Sequence, residues 1–305
     1  MTGLSDGREI RNFTGRDRQA SDKFYYDVRL SGSRYSSEET VMLYNTKEGK
    51  LTIHNGQMNY ITFGSGTKTL VMIQGLNTNG IRGAGLSLAY MYRLFAKEYR
   101  VWMFDRREVV SDGITVRDMA ADIAAAMDAA GITNADIFGV SQGGMIAQYL
   151  AIDRPELVNK LVLAVTLSRN NDTVKAVIEN WIEMTENGDM KSLVRDMAEK
   201  MYSGAYLRRY KPLMPLLTIL QKPKDIPRFI ILAKACLTCE AYEELDKIRC
   251  PVLVIGARCD KVVTGEASED IAEKLGCELY MYDELGHAAY EEAKDFNRRV
   301  YDFLR

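Results

Sequence analysis

The sequence predicts an α/β protein, with a mostly parallel sheet covered by helices and entered from an antiparallel hairpin at its N-terminal edge. Three observations predict it. From Leu51 onward, short apolar runs alternate with helical stretches, the rhythm of successive βαβ units. Residues 170–246 interrupt that rhythm with helical stretches only. One apolar run stops at Gly139-Val140-Ser141-Gln142-Gly143, a G-x-S-x-G pattern of the kind that turns a strand into a helix and lifts a serine above the sheet.

Residues 1–40 are polar, charged and rich in Gly, Ser, Arg and Asp, and read as a poorly ordered extension. A domain is expected to begin near Met42, so the natural start could lie there. Leu51 and Ile53 alternate with polar residues, Asn55-Gly56 follows, and Met58, Tyr60, Ile61 and Phe63 resume, which is a hairpin signal. Thr69 to Ile73 is a continuous apolar run, expected for a strand buried on both faces and ending at Gln74-Gly75-Leu76-Asn77. Leu86 to Tyr99 has helical spacing. Val101 to Phe104 reads as a strand ending at Asp105-Arg106-Arg107, and Thr115 to Ala130 as an alanine-rich helix stopped by Gly131.

The Ile137 strand carries Ser141, a helix follows from Gly144 to about Ile152, and Lys160 to Leu167 is the next strand. In the insertion, helices are expected over Val174 to Asn187, Met190 to Tyr202, Ala205 to Gln221 and Pro227 to Cys239. Strand Val252 to Gly256, a helix from about Ser268 to Leu275, strand Glu278 to Tyr282 and a last helix to Leu304 complete the chain. The expected organisation is a core of residues 41–169 and 247–305 with a helical lid, 170–246.

The chain has 305 residues, 47% of them hydrophobic, enough to bury one large core. A formal net charge of -2 and a pI near 5.9 give no electrostatic footprint for nucleic acid or an anionic membrane. No apolar run approaches the roughly 20 residues that span a bilayer, and the N-terminus lacks a signal-peptide core. The protein reads as soluble, intracellular and cytoplasmic. The five cysteines are odd in number and do not suggest a disulfide framework. Cys236 and Cys239 form C-x-x-C inside an apolar helical run with no second pair at zinc spacing, so they read as core residues and no metal is expected.

A serine hydroxyl needs a base to become a nucleophile, and the base needs a third group to fix its tautomer. Only His54 and His287 could be that base. His54 lies in the first hairpin, whereas His287 follows the last strand, where catalytic groups gather. Asp260 follows strand Val252 to Gly256 through Ala257-Arg258-Cys259, and would be the third group. The order Ser141, Asp260, His287 is that of the α/β-hydrolase triad.

The chain from Leu51 to Leu304 resembles the α/β-hydrolase superfamily, and within it the lid-bearing esterases, cofactor-free haloperoxidases and carbon-carbon bond hydrolases. The resemblance is carried by the serine motif, by Asp105-Arg106-Arg107 with Asp112-Gly113 and Thr115 to Asp122, by Gly143 to Gln148, by Arg154-Pro155-Glu156-Leu157-Val158, and by Leu245 to Leu253. It implies an eight-stranded sheet, a lid, no cofactor, and an oxyanion hole built from the backbone N–H of Gln142 and one after Ile73, for which Leu76 is the choice and Asn77 the alternative. The family commonly has His-Gly where this chain has Gln74-Gly75. The expected activity is hydrolysis of a small ester, thioester or lactone with an apolar acyl part, rising with pH as the base loses its proton; acyl transfer, carbon-carbon cleavage and a non-catalytic binding role are the alternatives. A homodimer is compatible with the sequence.

Asn77, Trp181, Tyr206 and Tyr210 are the expected substrate-binding residues, and with Tyr202, Met184 and Met214 the aromatic ones would line the pocket if they face inward. Alternatively Tyr202, Tyr206 and Tyr210, spaced four apart, form a helix face packed on its neighbours. Asp105 and Arg106 read as structural loop residues, and Arg169 either meets an acidic substrate or lies in solvent. Cys259 is either a site of inactivation by thiol reagents or an inert thiol.

Overall fold

Alternating apolar positions produce an antiparallel edge, and continuous apolar runs produce the parallel strands beyond it. The computed structural model describes residues 44–54, 56–210, 212 and 221–305; the extension, Met42, Asn55 and Met214 lie outside the described residues. Strands β1 (Lys47–Ile53) and β2 (Gly56–Phe63) form the hairpin, with Ile53 opposite Gly56. The parallel strands are β3 (Lys68–Ile73), β4 (Tyr99–Arg107), β5 (Ala135–Val140), β6 (Val158–Ala164), β7 (Val252–Ala257) and β8 (Glu278–Tyr282). The eight-stranded sheet has the order β1-β2-β4-β3-β5-β6-β7-β8, antiparallel only in its first two pairings.

Every residue of β5 and of β7 is buried, because helices cover both faces. Side chains alternate between two apolar layers. Ile137 packs with α2 (Val116–Ala129), α3 (Gln142–Asp153) and α8 (Gly265–Leu275). Phe138 packs on the opposite side with α1 (Gly85–Met91) and α10 (Phe296–Leu304), edge-on to Tyr92 and 6.2 Å from the ring of Phe296. Each such side chain contributes about 1.5–3 kcal/mol when fully buried. Helix α2 starts where a capping box fixes it: Thr115 Oγ1 accepts from the Asp118 N–H, and Asp118 accepts from the Thr115 N–H.

The helix expected over Leu86 to Tyr99 ends at Met91. Tyr92 to Glu98 continues in tight turns, with Phe95 N bonded to Tyr92 O and Glu98 N to Phe95 O. Such turns keep Tyr92 and Phe95 on one inward face, which is why the spacing looks helical, and Tyr99 then opens β4 opposite Lys68. The strand expected to reach Leu167 stops at Ala164, because Val165 takes φ 42°.

Between β6 and β7 the described elements are helices and one isolated bridge, Arg169 to Glu240. They are α4 (Asp172–Glu186), α5 (Met190–Met201), α6 (Gly204–Tyr210) and α7 (Ile226–Cys236). A short α9 (Ala289–Glu292) precedes α10. Among the described residues no helix is long and apolar enough to cross a membrane.

The chain steps outward from β3 to β4 and then returns past β3 to β5. That switch opens a crevice at the carboxyl ends of β3 and β5. Ile73 is registered with Gly139, Val140 with Ala164, and Ala164 with Ile255. The loops after β3, β5, β6 and β7 therefore leave the sheet side by side.

Candidate active site

Ser141 sits where β5 turns into α3, at φ 53° and ψ -120°. A non-glycine residue with positive φ is strained and persists only where its surroundings enforce it. The enforcement is steric. A Cβ on Gly139 would lie 2.5 Å from the Gly143 carbonyl oxygen, and one on Gly143 would lie 2.0 Å from the Ile73 oxygen. Both positions accept only glycine at this spacing.

His287 and Asp260 come to the serine from the loops after β8 and β7. His287 Nε2 is 2.9 Å from Ser141 Oγ, and His287 Nδ1 is 2.8 Å from Asp260 Oδ2. The side chains of His287 and Asp260 are 4% and 1% exposed. Asp260 Oδ1 accepts from the backbone N–H groups of Val262 and Val263, so its orientation is fixed on both oxygens. The His287 loop is held in turn by the Ala288 N–H, which donates to Met201 O at the end of α5. His54 is exposed in the first turn, away from this group.

Gln142 is the first residue of α3, where a backbone N–H has no acceptor within the helix. Its side chain is buried and clamped at both ends. Nε2 donates to Leu232 O at 2.7 Å and to Cys236 Sγ at 3.1 Å, while Oε1 accepts from Arg106 Nη2 at 3.0 Å. Arg106 Nη2 also donates to Gln74 O at 2.7 Å, in the loop after β3. Burial pushes the Arg106 guanidinium down to about 10, against the opposing pull of Asp105. Gly75 packs on the serine, since a Cβ there would be 3.2 Å from Ser141 Cβ. The half-buried Leu76 follows, and Asn77 Oδ1 caps a turn by accepting from the Gly80 N–H. Asn77 also lines a cavity of about 330 Å³ with Asn79, Asp105, Lys224 and Arg228.

Asp105 and Arg106 are thus structural residues, but buried and bonded to the loops of the site: Asp105 accepts from the Ile81 N–H, and Arg228 of α7 donates to the carbonyls of Arg106, Arg107 and Glu108. Nothing in the sequence linked Gln142 to Arg106 and Cys236. The only hint was a second arginine in Asp105-Arg106-Arg107 at a strand end. Burial pushes the Cys236 thiol up to about 11, and Cys239 is also buried, its Sγ against Leu167 O. Among the described residues no cluster of His, Cys, Asp or Glu could hold a metal ion.

The expected pocket residues divide. Trp181 is 3% exposed in the core, and its indole N–H donates to Asp196 across α4 and α5. An apolar ring with one polar atom is most stable where both needs are met, and the α4–α5 contact meets them. Tyr202, Tyr206 and Tyr210 stack on one another, with centroids 4.5 and 4.4 Å apart. Tyr202 donates to Glu291, and all three rings remain half-buried. Met184 is partly buried against the core. Arg169 is exposed, where it pairs with Asp270 at 2.8 Å and lies 3.9 Å from the Tyr242 ring centroid.

A serine on a strained strand-to-helix turn, then a carboxylate and a histidine in that chain order, and this sheet define the class. Residues 68–294 match the family described as the alpha/beta hydrolase fold, and the chain belongs to it. It is similar to the putative carbamate hydrolase RutD of Rhizobium rhizogenes (strain K84), 26% identical over 251 residues covering 78% of this chain and 93% of that protein. It is likewise similar to 2-hydroxy-6-oxononadienedioate/2-hydroxy-6-oxononatrienedioate hydrolase 2 of Pseudomonas putida, 26% identical over 85% of this chain and 94% of that one. Among solved structures, the enol-lactonase from Burkholderia xenovorans LB400 shares the fold with a TM-score of 0.74 and 20% identity, over 84% of this chain and 99% of that chain.

Proposed function

We propose that the protein is a serine hydrolase of small esters, thioesters or lactones with an apolar acyl part, acting through an acyl-enzyme on Ser141. The observation that carries this reading is the hydrogen-bonded sequence Asp260, His287, Ser141, with contacts of 2.8 and 2.9 Å. Ser141 Oγ attacks the carbonyl carbon while His287 Nε2 takes its proton. Asp260 holds Nδ1–H and stabilises the imidazolium. The oxyanion is received by the N–H of Gln142 and that of Leu76, with Asn77 as the alternative second donor. Collapse expels the alcohol or thiol with the proton from His287, and a water repeats the sequence to free the acid. The half-buried Tyr206, Tyr210 and Met184 of the helical insertion would meet the acyl part as its lid.

The named relatives favour a second reading with the same three residues, hydrolysis of a carbamate or of a carbon-carbon bond. One panel separates them: esters, thioesters, lactones, carbamates and a vinylogous diketone, each run beside Ser141→Ala. Turnover of the esters that is lost in Ser141→Ala supports the first reading. Preference for the carbamate or the diketone replaces it with the second. Ester turnover retained by Ser141→Ala removes the serine from the chemistry.

A further inference from the structure

We propose that Thr166 is a positioning residue for the oxyanion donor, its hydroxyl orienting and polarising the peptide that joins Ser141 to Gln142. The inference rests on the serine hydrolase reading and deepens it. A peptide unit carries one C=O and one N–H, and in this unit they are the Ser141 carbonyl and the Gln142 N–H. Thr166 Oγ1 donates to that carbonyl oxygen at 2.7 Å. The same oxygen accepts from the Gly144 N–H at 2.8 Å and the Met145 N–H at 3.1 Å. The two backbone bonds belong to the start of the helix, but the third comes from another strand end. Each donor draws charge toward the oxygen and strengthens the dipole of the N–H at the other end of the peptide.

The position of Thr166 is specified at some cost. Val165, immediately before it, is a β-branched residue at φ 42°, a conformation such side chains rarely take. It is fixed there by its N–H, which donates to Ile255 O at 2.8 Å on β7. Thr166 itself is fully buried, and a Cβ on Gly144 would come within 2.6 to 2.7 Å of its Cβ, Cγ2 and Oγ1. In this packed position the hydroxyl donates to the Ser141 carbonyl. Strain spent beside the nucleophile to aim a buried donor at the oxyanion peptide is the juxtaposition that carries the proposal.

Thr166→Val replaces the hydroxyl by a methyl of similar size, and Thr166→Ser keeps the donor while removing the methyl. Thr166→Val should lower kcat by about fivefold, a fraction of the effect of losing a whole oxyanion donor, with KM little changed. Binding of a trifluoromethyl ketone, whose adduct oxygen occupies the oxyanion hole, should weaken by the same factor. Thr166→Ser should recover most of both. If valine prevents folding, Thr166→Ala takes its place and should be about fivefold slower than Thr166→Ser. Either of two results overturns the proposal: kcat of Thr166→Val within twofold of wild type, or Thr166→Ser as impaired as Thr166→Val, which would assign the effect to methyl packing. Labelling by a fluorophosphonate probe separates the two levels. Wild type unlabelled at Ser141 defeats the hydrolase reading itself, whereas equal labelling rates in wild type and Thr166→Val defeat only the role of Thr166.

Discussion

Replacing Asp260 by Asn tests the catalytic reading with little change of shape. Asp260 Oδ1 accepts from the N–H groups of Val262 and Val263 at 2.8 and 3.0 Å, and Oδ2 faces His287 Nδ1 at 2.8 Å. An asparagine can enter in two orientations. With its NH2 toward Val262 and Val263, it would set donor against donor at two buried N–H groups, at about 1–3 kcal/mol for each group left unsatisfied. With its oxygen toward them, both backbone bonds survive and the NH2 faces His287, so the second orientation wins. The amide then donates to Nδ1, which forces the ring proton onto Nε2, toward Ser141 Oγ. In that tautomer the imidazole cannot accept the serine proton. The expected result is a fall in kcat of about ten-thousand-fold, with the fold intact. Initial rates on the best ester of the panel and a thermal melt of the same preparation measure the two quantities. A folded Asp260→Asn protein retaining a tenth of wild-type kcat would refute the reasoning.

Gly143→Ala should abolish most activity, because the new Cβ would stand 2.0 Å from Ile73 O and 2.5 Å from Gln74 O, both backbone atoms. The loop must retreat by about 1 Å, which lowers kcat roughly a hundredfold and stability by about 1–3 kcal/mol; a melt and a rate near wild type would show that the loop after β3 does not set the site. Thiol labelling at pH 8 should reach Cys259 first, since it alone is exposed. Cys236, Cys250 and Cys277 are pushed up to about 11 by burial, so about a hundredfold less thiolate forms at each than at an ordinary protein thiol, and Cys239 is raised further. Peptide mapping after brief alkylation checks this, and early labelling of Cys236 would contradict its placement.

What the sequence made legible is what local rules control. The period-2 and continuous apolar runs located the strands, and glycines at positions 139 and 143 marked the turn because only a steric limit explains both. The scarcity of histidine, strand-end position and chain order together pointed to Asp260 and His287, since strand ends that register side by side gather residues far apart in sequence. The boundaries at Met91 and Ala164 were not legible. In the first case turn bonds reproduce helical spacing, and in the second the strand stops just before a valine, which local propensity favours within strands. The partner of Trp181 was not legible either: the spacing of an aromatic residue in a helical stretch does not reveal that its indole N–H meets Asp196 on the adjacent helix.

The side chains of Gln142, Arg106 and Cys236 show why the helical insertion should not be treated as a separate layer. Helix α7 returns the chain from the insertion to the core. Leu232 O and Cys236 Sγ on that helix receive both Gln142 contacts, Arg228 binds three successive carbonyls at the end of β4, and Thr238 Oγ1 accepts the Val116 N–H at the start of α2. Helix α5 reaches the site through Met201 O, bonded to the Ala288 N–H beside His287, and the two residues after it bind α9, Tyr202 Oη donating to Glu291 and the Ser203 N–H and Oγ donating to Glu292. Displacing α7 would break bonds to groups buried with Gln142, and such groups lose about 1–3 kcal/mol each when left without partners. Displacing the end of α5 would break four bonds, the one from the Ala288 N–H to Met201 O and those of Tyr202 and Ser203 to Glu291 and Glu292. The helices between β6 and β7 are thus bonded to the core on both sides of Ser141, through α7 at Gln142 and through residues 201–203 beside His287.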